Sequence, residues 1–538
     1  MPELQFKGKE FVYNHHLTVP YRPLEMDASK SIGKPNLNGN LIIHGDNLHA
    51  LKALLPLYAG KVDCIFIDPP YNTGNENWSY NDNVNSPMMR EWLSSNPVTI
   101  EDGLRHDKWC AMMYPRLKLL YELLSEDGIF WMTLDDNEVH HARTILDEIF
   151  GEPHFVVQLV WKSRKAEDTR ALSGISTDHE YVLCYAKNGA FRASGVAIDV
   201  AKFTNPDNDD RGQWRSADMT GLASAEQRPN LHYVLTNPKT GIKYPSPERG
   251  WRYEKSEMLR RVEENRILWP SEPHGRPRQK LFLRELQRTT KNFSSVVTFI
   301  STGDGSKEID SIFGSRVFDF PKPSALVQFL IEQSTSQDAV VLDSFAGSGT
   351  TGHAVLAANA KDTGNRRFIL VEGEDYADSL TAERLRRVIH GRGEKRATLL
   401  SDGLGGEFTF CTLGESLDLD KILTGKTLPE YEAIGAWLFH TATGESLNTS
   451  KVRKSAWFLG ESSAYYVWLV YKPDLDFLKS NKAALTLELA QKIAGDLDRK
   501  GKRHLVFAPA KYAPNKILLP LGVEYAPLPF ALYRVEKD

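Results

Sequence analysis

The segment Ile67-Asp68-Pro69-Pro70-Tyr71-Asn72-Thr73-Gly74 follows directly on the apolar run VDCIFI. Neither proline carries an N–H and each fixes its own φ, so a β-ladder cannot run through them. The spacing predicts a strand that ends here, with an acid, two rigid carbonyl-bearing residues and an aromatic ring at its carboxyl tip. A cluster of acceptors under a ring suits a planar base with an exocyclic amine. Asp68 and the Pro69 carbonyl accept its two N–H bonds, and Tyr71 stacks on its face. Holding both hydrogens draws the amine out of conjugation and frees its lone pair for attack. In this reading the face of Tyr71 matters and its hydroxyl does not. The plainer alternative is a proline turn that only caps a strand.

A second constellation lies in VVLDSFAGSGTTG. The strand Ala339–Leu342 runs into Asp343, then Phe345, Gly347 and Gly349, then a helix. Glycines at a strand-to-helix turn let the backbone approach a ligand closely. The pattern is neither the full GxGxxG fingerprint nor a GK[ST] phosphate loop. The next strand, FILVE, ends at Glu372, and an acid at a neighbouring strand tip is where such folds hold ribose hydroxyls. The ligand implied is a nucleoside without a large phosphate demand. Asp343 either touches that ligand or orients the turn by accepting its N–H groups. Both constellations open on one crevice if the strands share a sheet. A nucleoside carrying a methylsulfonium beside a gripped amine makes the reaction a methyl transfer. Inside duplex DNA the amine is paired, so the base must be flipped out.

The elements that position these residues alternate regularly. LIIHGDN, VDCIFI and IFWMTLDD read as strands, and NLHALKALLPLYAG and DKWCAMMYPRLKLLYELL as helices between them. Asn137–Phe150 has one apolar face, Asp135 with Glu138 has capping-box spacing, and Gly151 closes the helix. HFVVQLVWK and HEYVLCYAK read as an antiparallel pair. Strands separated by helical patterns imply an α/β fold with a doubly wound, mostly parallel sheet. The boundaries are an N-terminal arm at 1–40, a catalytic half at 41–190, an irregular insertion at 191–305, a cofactor half at 306–400 and a smaller C-terminal α/β domain at 401–538. A polar insertion falls at 72–106.

Composition is that of a soluble globular chain, 41% hydrophobic and 25% charged, and no stretch is apolar enough to span a bilayer. The four cysteines fit neither metal-ligand nor disulfide spacing and are expected to be buried thiols of a cytoplasmic protein; no metal is expected. Net charge is −4, yet residues 151–300 hold 24 Lys and Arg against 18 Asp and Glu. A basic middle in an acidic chain is a footprint for phosphate contacts, with the Arg and Lys of 251–292 as a candidate set.

IDPPYNTG followed much later by DSFAGSGTT resembles the amino-group DNA methyltransferases that use S-adenosylmethionine, and the motif order resembles their β class. The resemblance implies a methyltransferase sheet with a target-recognition domain between the motifs, where 191–305 falls. It implies catalytic roles for Asp68, Pro69, Pro70 and Tyr71. Phe345, Gly347, Gly349 and Thr350 match the methionine-side cofactor loop, and Glu372 the ribose acid. Asp46 in HGDN matches an acid facing the adenine, against the plain reading of a helix N-cap. Lys322 and Pro323 in FPKPSAL match a segment packed over the methionine moiety, against the plain reading of a solvated lysine. The segments LIIHGDNLHAL, PPYNTGNENWSYND, GRPRQKLFL and FDFPKPSALVQFLIE are similar to the modification subunits of type III restriction-modification systems. That likeness implies double-stranded DNA as substrate, a homodimer and an endonuclease–helicase partner, with adenine N6 favoured because the motif opens on Asp. The competing functions are methylation of cytosine N4 or of a protein amide, and a non-catalytic DNA-specificity module.

Overall fold

The structure is a computed structural model and describes residues 3–73, 103–169, 171, 173–272, 274–391, 402–417, 428–496 and 501–528. The chain divides into two compact units, residues 1–193 with 294–538, and residues 194–293. Most of the polar insertion expected at 72–106 lies outside the described residues, as does the expected boundary at 400.

A ten-stranded sheet organises the larger unit. Its strands in chain order are β1 (Leu24–Ile32), β2 (Leu41–His44), β3 (Val62–Ile67), β4 (Leu124–Leu134), β5 (Phe155–Trp161), β6 (Glu180–Ala186), β7 (Val296–Val297), β8 (Val340–Asp343), β9 (Arg367–Glu372) and β10 (Phe408–Leu413). The spatial order is β1-β10-β2-β9-β8-β3-β4-β6-β5-β7. The six strands from β10 to β4 are mutually parallel. Beyond them β6 runs antiparallel to both β4 and β5, as the two β-rich runs imply.

Strands such as β3 and β8 are buried along nearly their whole length, which a parallel sheet needs because helices cover both faces. Helices α1 (Asn47–Tyr58), α2 (Arg105–Leu123) and α3 (Val139–Phe150) supply one large core. Helices α4 (Thr302–Phe313), α5 (Ser324–Ser334), α6 (Thr350–Asp362) and α7 (Glu383–His390) complete the layers, α5 packing on α6 and α6 on α7. All four cysteines are buried and unpaired. No helix among the described residues is long and apolar enough to cross a membrane.

Three local expectations change. Residues 24–32 of the expected arm form the edge strand β1, antiparallel to β10; LEMDASKSI alternates poorly, and pairing with a sheet edge overrides that weak propensity. β10 lies in the central sheet, so the C-terminal portion begins after it rather than at 401. The capping box at Asp135 and Glu138 does not form. Asp135 accepts instead from the Asn137 N–H at 2.9 Å, and Glu138, itself the N-cap position of α3, makes no capping bond.

After β10, α8 (Tyr431–Thr443) leads to a four-stranded sheet of β11 (Phe458–Glu461), β12 (Tyr465–Leu469), β13 (Arg503–Ala508) and β14 (Val523–Pro527), with cores on both faces. The smaller unit is built from short ladders. Trp214–Ala217, Arg278–Phe282 and Ile267–Leu268 form a three-stranded antiparallel sheet, over a small core of Met219, Leu235, Trp251, Met258 and Ile267. Val196–Ala197 pairs with Thr290–Lys291 and brings the ends of the unit together.

Candidate active site

β2, β9, β8 and β3 lie side by side and parallel, so their carboxyl tips form one edge. Along it stand Asp46, Glu372, Asp343 and Asp68 in that order. From β8 the chain winds toward β9, and from β3 it winds the opposite way toward β4. The topological switch, where doubly wound sheets open a crevice, falls between Asp343 and Asp68.

Asp68 sits one residue beyond the last paired row, Ile67 with Met132. The next residue on β4, Thr133, is buried and donates its hydroxyl to Asp68 Oδ1 at 2.5 Å. The ammonium of Lys322 lies 3.1 Å from the same oxygen and 3.5 Å from Glu180 Oε2. It also sits 4.6 Å from the centre of the Tyr71 ring. Glu180 opens β6, and its Oε2 accepts the Tyr71 phenol at 2.8 Å. The Lys322 side chain is only 10% exposed, so it is not a solvated lysine. Burial alone would push its pKa down, but Asp68 and Glu180 outweigh that and hold it above the ordinary lysine value. Burial, then the Asp68 and Glu180 charges, push the Tyr71 phenol well above its usual range.

The turn itself is braced from below. The Pro70 carbonyl accepts the indole N–H of the fully buried Trp109 at 2.7 Å. Asn72 takes the left-handed conformation (φ 60°) and donates to the Arg105 carbonyl at 3.2 Å and to Glu138. Asparagine is among the few residue types that adopt this conformation readily. The same carboxylate lies 2.6 Å from His106 Nδ1 and 2.9 Å from His141 Nδ1. His106, Glu138 and His141 form the one His/Glu group of metal-ligand type among the described residues, and its carboxylate also braces Asn72.

At the other tips, Gly347 (φ 50°) and Gly349 (φ 81°) form the bend between β8 and α6. A Cβ on Gly349 would come within 3.0 Å of the Thr381 carbonyl, and one on Gly347 within 3.4 Å of the Phe318 ring. Asp343 is buried and accepts from the Phe345 N–H at 2.9 Å and the Thr351 hydroxyl at 2.5 Å. Through these two contacts it orients the turn. Burial pushes its pKa up to about 7. Glu372 accepts from the Gly347 N–H at 2.7 Å with one oxygen and from the Glu374 N–H at 2.9 Å with the other. Burial pushes it also up to about 7.

Each Glu372 oxygen has a second lone pair, so the two can accept a vicinal diol. A cleft of about 680 Å³ lined by Phe318, Tyr376 and Leu380 among others approaches Gly347 through the Phe318 ring, and none of the strand-tip acids lines it. The cradle and the acceptor pair therefore fit a nucleoside with a ribose. Asp46 caps α1 by accepting the His49 N–H at 3.0 Å and also contacts the His49 ring at 2.8 Å. Burial opposes its charge, but the His49 contacts and the Arg116 guanidinium at 3.9 Å hold its pKa at about 2.

A buried clamp joins the two constellations. Arg384 of α7 is fully buried and donates to Ser348 Oγ at 2.9 Å, Thr350 Oγ1 at 2.8 Å and Glu308 Oε2 at 2.9 Å. Glu308 of α4 also accepts the Ser324 N–H at 3.2 Å, and Thr350 donates to the Lys322 carbonyl at 3.2 Å. The backbone of Lys322 is thus tied to the glycine turn while its ammonium is tied to Asp68.

The profile of the N6/N4 DNA methylases, described as DNA methylase, matches residues 62–383, more than half of the chain. The Mod subunit of the type III restriction-modification enzyme StyLTI from Salmonella typhimurium is 31% identical over 481 residues, 83% of this chain and 70% of that protein. The chain belongs to this DNA methylase family. Other similar proteins are the Mod subunit of the type III restriction-modification enzyme EcoPI of Escherichia phage P1, 32% identical over 69% of this chain and 63% of its own length, and the type II methyltransferase M.KpnI of Klebsiella pneumoniae, 33% identical over 64% and 84%. The chain thus spans just under two thirds of the EcoPI subunit. Among solved structures, the M1.HpyAVI–SAM complex aligns with 64% of this chain and 98% of its own at 16% identity, with a TM-score of 0.31. The methylase match begins at the first residue of β3 and ends at the first residue of α7, enclosing both constellations and the whole smaller unit. It leaves Asp46 and the C-terminal sheet outside.

Sequence reasoning missed four residues that the structure brings to this candidate site or its clamp: Thr133, Glu180, Glu308 and Arg384. Glu180 had a signal, a lone acid opening an otherwise apolar strand in HEYVLCYAK. Within the smaller unit, Arg260 and Arg261 pair with Glu257, Arg266 with Glu285, and Lys280 with Asp207 and Asp209. Those members of the 251–292 basic set are thus paired with acids of their own unit.

Proposed function

We propose that this protein transfers a methyl group from S-adenosylmethionine to adenine N6 of a base flipped out of double-stranded DNA, as the modification subunit of a restriction-modification system. The observation that carries the reading is the order of the strand tips: ribose-type acid, glycine turn and Asp-Pro-Pro-Tyr on adjacent parallel strands across the switch point. The names of the relatives support the restriction-modification setting, and the opening Asp of the motif favours adenine over cytosine.

The cofactor supplies an electrophilic methyl group. Glu372 holds its ribose hydroxyls, the turn at Phe345, Gly347, Gly349 and Thr350 receives its methionine side, and Asp46 faces its adenine. On the other side of the switch point, Asp68 and the Pro69 carbonyl accept the two amine hydrogens, leaving the nitrogen lone pair directed out of the base plane. As the carbon–nitrogen bond forms, the methyl–sulfur bond would break and the sulfonium leave as a neutral thioether; the positive charge passes to the amine nitrogen, where the Asp68 carboxylate stabilises it until one of the two amine protons is lost to solvent. Tyr71 supplies the stacking face and Pro70 fixes the turn. The residues between 191 and 305 read the DNA sequence, and a second copy of the chain and an endonuclease–helicase subunit are the expected partners.

The test is incubation of the protein with tritiated cofactor and unmethylated genomic DNA, followed by digestion to nucleosides. Label in N6-methyladenine is the expected outcome. Label in N4-methylcytosine would move the reading to the cytosine branch, label on protein to an amide methylase, and bound but unlabelled DNA to a specificity module.

A further inference from the structure

The catalytic turn has a partner on a strand outside its own motif. We propose that Glu180 is a positioning residue for the transfer, aiming the Tyr71 ring through its phenol and holding the Lys322 ammonium against the catalytic acid. The inference rests on the methyl-transfer reading and adds to it a residue that neither motif contains.

Glu180 begins β6, directly opposite Trp161 and one row beyond Tyr181 with Leu134. Two residues further along, Val182 lies abreast of Thr133, the residue that donates to Asp68. Side chains two apart share a face of a strand, so Glu180 extends from that face toward the crevice edge. Its Oε2 meets the Tyr71 hydroxyl at 2.8 Å and Lys322 Nζ at 3.5 Å. Its side chain is 16% exposed and that of Lys322 10%.

The consequence is a closed set of contacts. Lys322 is held by Asp68 on one side and Glu180 on the other, with the Tyr71 ring 4.6 Å away. Tyr71 follows a rigid Pro-Pro pair, which fixes the backbone but leaves the side-chain torsions of the tyrosine open. The bond from its phenol to Glu180 removes that freedom. A carboxylate sharing this space with Asp68 would repel it, and the intervening ammonium screens the two acids from one another. Glu180 therefore sets where the stacking face lies relative to Asp68 before a base arrives, and the hydroxyl of Tyr71 matters because it is the handle.

The experiment uses the full-length protein and compares wild type with Glu180→Gln, Glu180→Ala, Tyr71→Phe and the double variant Tyr71→Phe/Glu180→Ala. Single-turnover methyl transfer to DNA, equilibrium cofactor binding and thermal unfolding are read on the same preparations. Misplacing a reacting group by about 1 Å costs ~10²-fold in rate, so Glu180→Ala is expected to lose about that in the transfer step with cofactor affinity unchanged. Glu180→Gln keeps an acceptor for the phenol and is expected to recover ~10-fold of the loss, by the strength of one neutral hydrogen bond. Tyr71→Phe should add little to Glu180→Ala, because the two share one contact. Equal transfer rates in wild type and Glu180→Ala, or fully additive losses in the double variant, would overturn the proposal. If wild type itself labels no DNA, the methyl-transfer reading fails instead, so the two failures are separable.

Discussion

Two carboxyl groups at adjacent strand tips, Asp343 and Glu372, are held near neutrality by burial, each pushed up to about 7. In an unfolded chain such groups titrate near ~4. Folding therefore favours their protonated forms. The stability they contribute is fully present below about pH 4 and is lost as pH rises through about 7. Each unit of difference corresponds to ~1.4 kcal/mol. Replacing Glu372 by Gln removes one titrating group while keeping an acceptor oxygen. Thermal unfolding of the ligand-free protein from pH 4 to pH 8 should show wild type losing stability more steeply than Glu372→Gln. Parallel profiles would mean that burial does not govern this acid. The neighbouring Asp68 differs in having a cation beside it, the Lys322 ammonium at 3.1 Å. Three acids within one edge thus stand in different surroundings, which suits the three roles proposed for them: orienting the backbone, taking hydroxyls and accepting an amine.

The glycine turn between β8 and α6 is the element we propose to receive the cofactor. Gly349 has φ 81° and only 3.0 Å between a built Cβ and the Thr381 carbonyl. Left-handed backbone costs a side-chain-bearing residue roughly 1–2 kcal/mol, and the close carbonyl adds to that. Gly349→Ala should lower the unfolding midpoint and weaken cofactor affinity together, measured by thermal denaturation and calorimetric titration; unchanged affinity would contradict the cradle. This element was legible in the sequence, because strand, glycines and tip acid are near one another along the chain and each has a local cause. The same holds for β3 and its proline stop. What joins them was not legible. Thr133 reaches Asp68, and Glu180 reaches Tyr71, only through the registers of β4 with β3 and of β6 with β4, and Arg384 and Glu308 meet across two helices. A single acid or arginine in a run carries no mark of its distant partner. The edge strand β1 was hidden for a related reason: its sequence is weakly β-forming, and the pairing surface that recruits it lies nearly 400 residues away along the chain. Asp135 and Glu138 showed capping-box spacing, yet Glu138 is drawn instead to Asn72, His106 and His141.

At the scale of the molecule, one methylase sheet is encoded in two stretches with a separate unit of residues 194–293 between them. Strand β7 and the first turn of helix α4, which fall within the expected insertion of 191–305, belong to the sheet-bearing unit. A deletion probing recognition must therefore spare them. Because the 196–197 and 290–291 ladder brings the ends of the smaller unit together, residues 194–293 can be replaced by a short flexible linker. That variant should retain the fold of the larger unit and lose site selectivity, read by sequencing modified positions in methylated DNA. If it marks the same sequence as wild type, recognition lies elsewhere.

The central claim is that Asp68 grips the target amine and takes no part in holding the methyl donor. It is tested most directly by comparing Asp68→Ala with wild type in single-turnover methyl transfer and in cofactor binding on one preparation. Removing a preorganised electrostatic contact at the reacting atom costs ~10²–10³-fold in rate, so a loss of at least that size is expected, with cofactor affinity within a few-fold of wild type. Transfer that survives the substitution, or a rate that falls only in step with cofactor affinity, would contradict it.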